Sequence, residues 1–150
     1  MKLKLVIGLI IVIIIGATIF YLFSNSNEKV SFETILAEAY TNHDSAKDYV
    51  IRESSEWVNL WNLTYKVQEA PQIPQVNFNE DMIIAVFEGW HNTGGYSIEI
   101  VKIIEKENSI NVYVEERFPK PGEVVTLAET APSHIVKIKK TNKQVIFKRT

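Results

Sequence analysis

Hydrophobic positions along this chain follow three different patterns. From Leu5 to Phe23 (LVIGLIIVIIIGATIFYLF) the run is uninterrupted by any charge. A helix of that length reaches roughly 28 Å, close to the hydrocarbon thickness of a bilayer, and predicts an N-terminal transmembrane helix. Ser24 to Val30 then reads as a polar tether, and residues 31–150 as one domain. Within it, Ser31 stands where an N-cap belongs and Phe32, Ile35, Leu36, Ala39 and Tyr40 follow at helical spacing, predicting an amphipathic helix. After a short apolar stretch at Tyr49-Val50-Ile51, Ser54 or Ser55 caps a second expected helix, with Trp57, Leu60, Trp61, Thr64 and Tyr65 on one face.

Pro71 and Pro74 stop that helix and hold an extended connection into Val76-Asn77-Phe78 and a turn at Asn79-Glu80-Asp81. Beyond it the period changes to two. Met82 to Phe87 is wholly apolar and predicts a central strand, while Ile110, Val112 and Val114 alternate with Asn111, Tyr113 and Glu115 as in a half-buried one. Ile98 and Ile100 begin a similar alternation that slips near Val101, where a bulge fits. Val136 and Ile138 alternate with lysines, and Gln144 to Lys148 reads as a last strand. The sum predicts an α+β domain, with two amphipathic helices on one face or end of an antiparallel sheet of about five strands.

Composition adds location and exclusions. Lys2 and Lys4 precede the apolar run and Ser24-Asn25-Ser26-Asn27-Glu28 follow it. The positive-inside rule therefore puts Met1 in the cytoplasm and the domain outside, as a signal anchor. The alternative is a signal peptide cleaved near Ser26, although h-regions are usually about 7–15 residues long. Apolar residues make up 46% and charged residues 23%, as in folded globular chains. The absence of cysteine removes disulfides, thiol nucleophiles and lipid attachment through a thioether. A net charge of -2 gives no reason to expect a nucleic-acid partner. Lys137, Lys139, Lys140, Lys143, Lys148 and Arg149 crowd the C-terminal strands, where exposed lysines discourage edge pairing.

The residues predict neither a catalytic site nor a cofactor or metal. His43, His91 and His134 have no metal-ligand spacing, and there is no G-x-S-x-G elbow or phosphate loop. Glu115 and Glu116 are neighbours on a strand and point to opposite faces, poor geometry for shared acid-base work. The segment that stands out is Gly89-Trp90-His91-Asn92-Thr93-Gly94-Gly95-Tyr96, aromatic side chains around a Gly-Gly pair between two strong strands. One reading is a plain hairpin loop with Tyr96 returning to the core. The other is a recognition loop in which Trp90, His91, Asn92, Thr93, Gly94, Gly95 and Tyr96 meet a partner. Pro119, Pro121 and Gly122, and Thr130 and Pro132, stiffen two further loops that share its end of the sheet if strands alternate in direction.

At these positions the sequence resembles the family of PrcB C-terminal domains, named after the accessory subunit of a protease complex. The likeness runs from about Ser55 to Phe147. It starts with Ser55, Trp57 and Trp61, the Pro71 to Phe78 connection, and Ile83 to Gly89 entering Thr93-Gly94-Gly95-Tyr96. Val112 to Glu116, Pro119-x-Pro121-Gly122 and Thr130-x-Pro132 complete it. The resemblance implies a non-catalytic protein of the bacterial cell envelope that binds or stabilises a protein partner, a secreted or surface protease. Members are often lipoproteins, and a hydrophobic anchor takes the place of the lipid in a chain without cysteine. Asn92 to Tyr96 also resembles a loop of chagasin-like protease inhibitors, and an aromatic loop suits a glycan or peptide of the envelope; both are alternatives to the accessory role.

Overall fold

The computed structural model describes residues 13–16, 28–65 and 70–150. In chain order the elements are β1 (Glu28–Val30), β2 (Glu33–Glu38), β3 (Ser45–Ile51), α1 (Ser54–Thr64), β4 (Asp81–Gly89), β5 (Ser97–Glu105), β6 (Ser109–Arg117), β7 (Ser133–Lys139) and β8 (Gln144–Arg149). The strands form two four-stranded sheets, one ordered β1-β5-β6-β8 and the other β2-β7-β4-β3. All pairings are antiparallel except β6 with β8.

The wholly apolar run in β4 explains the layering. Met82, Ile84 and Val86 pack with Val136 and Ile138 of β7 against Ile98, Ile100 and Ile103 of β5 and Ile110, Val112 and Val114 of β6. Between them, Ile83, Ala85 and Phe87 point the other way, onto Trp57, Leu60 and Trp61 of α1. The sheet holding β4 is thus covered on both faces, by the second sheet and by the helix. Its central strand can carry apolar side chains at every position, each large one worth about 1.5–3 kcal/mol on burial.

α1 buries Trp57, Leu60, Trp61 and Thr64, the stripe the spacing predicts. Its N-cap is Glu53 in extended conformation, not Ser54 or Ser55, and no side chain caps it. The two indole N–H groups donate to Pro74 O and Pro71 O, both at 3.0 Å, so the helix holds the proline-rich connection against itself.

The expected α+β fold with a single antiparallel sheet is corrected by this structure. The described residues are mostly β, in two stacked sheets. The first amphipathic helix is β2 instead, pairing with β7 through a register shift between Thr34 and Leu36. A bulge inserts a residue and breaks the two-residue period. Ile35 and Leu36 consequently both pack on the α1 side while Phe32 packs between the sheets, and that spacing imitates a helical stripe. β8 departs from the expected antiparallel order by lying parallel to β6. Glu28–Val30, expected in the tether, pairs with β5.

Among the described residues no helix is long and apolar enough to cross a membrane, so the N-terminal transmembrane helix is not part of the observed architecture. Of Leu5–Phe23 only residues 13–16 are described, a short helical piece with exposed side chains. The remainder lies outside the described residues.

Candidate functional site

Strand direction brings three connections to one end of both sheets: residues 39–44 between β2 and β3, 90–96 between β4 and β5, and 118–132 between β6 and β7. The chain enters β1 at the other end, where Glu28 pairs with Glu105. At 3.3 Å per residue β5 separates the two ends by about 26 Å.

The 90–96 loop is braced against 118–132. His91 and Thr130 exchange backbone hydrogen bonds, His91 N–H to Thr130 O at 2.7 Å and Thr130 N–H to His91 O at 3.0 Å. The Thr130 hydroxyl donates to Thr93 O at 2.8 Å, and Gly94 N–H donates to Thr126 O at 2.9 Å. Gly95 has φ +93°, and a Cβ there would come within 2.9 Å of both Pro119 Cγ and Val125 Cγ1. Only glycine lets the two loops approach so closely at that backbone angle. Arg117 donates to Gly95 O and pairs with Glu123, whose other carboxylate oxygen accepts from Lys120 N–H at 2.9 Å.

Beneath this contact lies a charged layer closing the mouth of the sandwich. The ring of His91 stacks on Tyr96, and its Nε2 is 3.0 Å from Glu88 Oε1. Glu88 Oε2 is buried without a hydrogen-bond partner among the described residues. Burial pushes the Glu88 carboxyl above its usual range, the His91 hydrogen bond opposes this, and the nearby Glu116 adds to it. Arg149, from β8, donates to both Asp48 oxygens at 2.6 and 2.8 Å and to Glu116, tying β3 of one sheet to β6 and β8 of the other. The hydrogen bonds to Asp48 make the Arg149 guanidinium hold its proton more tightly than usual despite partial burial.

The structure therefore gathers most of the positions singled out in the sequence. Trp90 is 44% exposed, its backbone N–H on Asp44 O. His91 and Tyr96 are half-buried, Thr93, Gly94, Gly95, Pro119 and Thr130 form the joint between loops, and Asn92 is exposed. Pro121 and Gly122 lie in an exposed turn outside that joint, while Pro132 is buried and accepts Glu88 N–H through its carbonyl. Sequence reasoning missed Glu88 and Arg149. The signal for Glu88 was a carboxylate continuing the all-apolar run of β4. It also missed Val124 and Leu127, 96% and 91% exposed. Their signal was an apolar stretch with no strand to join. Among the described residues no group of three or more histidines and acids is arranged to hold a metal ion.

Residues 82–139 match the PrcB C-terminal family. The PrcB C-terminal segment so defined begins in β4 and ends with β7, and both braced loops, 90–96 and 118–132, fall inside it. The resemblance read from the sequence is thereby found on a shorter stretch, without the Trp57 and Trp61 start, the Pro71 to Phe78 connection, or β8. No curated protein and no solved structure gives a match.

Proposed function

We propose that this chain is a non-catalytic accessory protein of the cell envelope whose loop end binds or stabilises a protein partner, a secreted or surface protease. The observation that carries the reading is that the PrcB C-terminal match, residues 82–139, runs from β4 to β7 and so contains both of the mutually braced loops, 90–96 and 118–132. That end presents Trp90, Val124 and Leu127 to solvent from a hydrogen-bonded scaffold. Exposed aromatic and aliphatic side chains on braced loops are suited to protein recognition, since little entropy is lost in ordering them.

The uncharged Leu5–Phe23 run, with Lys2 and Lys4 before it, supports a place on the outer face of a cell membrane. The chain enters the domain at the end opposite the loops, an orientation that leaves the loop end facing away from the membrane.

The test is proteolysis at the cell surface. Cells lacking the chain are compared with cells expressing the full-length wild type or Trp90→Ala, using casein as substrate. A stabiliser gives lower caseinolysis on deletion and an inhibitor gives higher; in either case wild type restores the original level and Trp90→Ala does not. Unchanged caseinolysis and unchanged abundance of every surface protease on deletion would contradict the reading.

A further inference from the structure

Glu88 places a buried carboxyl beneath the 90–96 loop. Among the described residues its one hydrogen-bond partner is the His91 ring, at 3.0 Å, and its second oxygen has none. The same ring lies on Tyr96, and the His91 backbone is paired with Thr130, so the imidazole both covers the carboxyl and belongs to the loop brace. The other charged groups around Glu88 are committed elsewhere or of the wrong sign. β6 contributes Glu116, and the Arg149 guanidinium of β8 is turned to Asp48 and Glu116. Val86, two residues back on the same face, pairs with Asp48 of β3 and with His134 of β7, whose ring nitrogens are taken by Thr34 and Ile100. From β5 the residue opposite Glu116 is the apolar Ile98.

We propose that Glu88 and His91 form a proton-operated latch on the 90–96 loop, closed while the pair shares a proton and loosened once that proton is lost. This rests on the reading of the loop end as the partner-binding end and adds how that end is regulated. With one shared proton, as carboxylic acid and imidazole or as carboxylate and imidazolium, the pair carries no net charge and its hydrogen bond is satisfied. Loss of the proton leaves a buried carboxylate beside Glu116 with an unpaired oxygen, a charge the interior opposes. Burial already pushes this carboxyl above its usual range. β4 is held in place, with Glu88 N–H on Pro132 O and the strand paired on both sides. The loop has more freedom, since Gly89 and Gly95 at its two ends both stand at positive φ. Lifting the His91 ring admits water to the carboxylate and shifts the neighbouring Trp90. The closed loop binds the proton more tightly, so closure is favoured at mildly acidic pH and weakens as pH rises through the raised value.

Hydrogen exchange in the full-length chain in detergent micelles, at pH 5 and pH 8 and corrected for the intrinsic pH dependence of exchange, reads the latch without a partner. The His91, Gly94 and Thr130 amides are expected to be less protected than those of β6 at both pH values, and to lose about tenfold of their protection between pH 5 and pH 8. Glu88→Gln keeps a hydrogen bond to His91 but has no proton to lose, and is expected to hold the loop amides constant within about twofold. Unchanged loop protection in wild type, the same loss in Glu88→Gln, or loop amides as well protected as those of β6, which would mean that the loop opens only with the whole domain, overturns the latch and leaves the partner-binding reading standing. Photocrosslinking from Trp90 in isolated cell envelopes then tests the regulation. Adduct yield is expected to fall from pH 5 to pH 8 with Glu88 in place and to stay level in Glu88→Gln. The same pH dependence in both overturns the regulatory role, and the absence of any protein adduct at either pH overturns the partner-binding reading.

Discussion

His91 lies flat against Tyr96, ring centroids 3.6 Å apart and planes 4° from parallel. Through this stack the 90–96 loop is fixed at both ends to the mouth of the sandwich, because the same imidazole meets Glu88 on β4. The loop end is therefore a supported surface, and its support contains the buried carboxyl whose ionisation the fold opposes most directly.

Glu88 gives a pH-dependent prediction. Burial raises its pKa above 4.5 in the folded chain. The native state binds the proton more tightly, so the contribution of the protonated carboxyl is intact below pH 4.5 and is lost as pH rises through the raised value. Glu88→Gln removes that loss. In urea titrations the advantage of Glu88→Gln over wild type is expected to be larger at pH 8 than at pH 4; a pH-independent difference would contradict the assignment.

His134 works in the opposite sense. Its Nδ1 accepts Ile100 N–H at 2.8 Å, so the neutral ring carries its proton on Nε2 and donates to Thr34 Oγ1 at 3.0 Å. One imidazole joins β7 to β2 and to β5 of the other sheet. Burial lowers the pKa of His134, and also that of His43, whose ring packs tilted against Phe87 and which is further lowered by Lys47. Both groups contribute stability above pH 6.5 that is lost as pH falls through their depressed values. His134→Ala leaves the Ile100 N–H unpaired, at a cost of about 1–3 kcal/mol. It is also expected to flatten the decline in urea midpoint between pH 7.5 and pH 5, a change that ring NMR titration of the remaining histidines can apportion.

How far these features could be read from the sequence depends on how local their causes are. β4 and β6 were legible because Met82 to Phe87 and Ile110 to Val114 write their burial into the residue pattern, and the slip at Val101 is the observed register shift between Ile100 and Lys102. β2 was illegible because its bulge gives Ile35 and Leu36 a helical spacing, which only the partner strand β7 resolves. The second sheet was missed for a similar reason: alternation reports one buried face but not which layer covers it. The Gly94-Gly95 pair flagged the 90–96 loop, yet the close packing that requires glycine there comes from Pro119 and Val125, distant in sequence. Arg149 carried no local sign of its role, since Asp48 and Glu116 lie far back along the chain.

Arg149 is the clamp between the sheets at the loop end. Arg149→Met leaves Asp48 and Glu116 without their shared cation beside Glu88, and is expected to cost about 1.5–3 kcal/mol in urea unfolding. Arg149→Lys should recover only part of this, because an ammonium group cannot reproduce the two-pronged contact with Asp48. Equal stability of the Lys variant and wild type would show that charge alone suffices.

On the opposite face of the β4 sheet, Trp57 has two separable roles. Trp57→Ala empties a fully buried site and is expected to cost about 3–5 kcal/mol. Trp57→Phe keeps much of the packing but loses the hydrogen bond to Pro74 O, at a cost of about 1–2 kcal/mol. Chemical denaturation of the pair separates packing from the indole N–H.

The binding claim itself is tested most directly by photocrosslinking from Trp90 of the full-length chain in intact cells. Lys143, paired with Glu105 at the opposite end of the domain, serves as the control position. Mass spectrometry of the adducts is expected to identify one surface or secreted protease at Trp90 and not at Lys143. Recovery of the same proteins from both positions, or of none at Trp90, would contradict a partner-binding loop end.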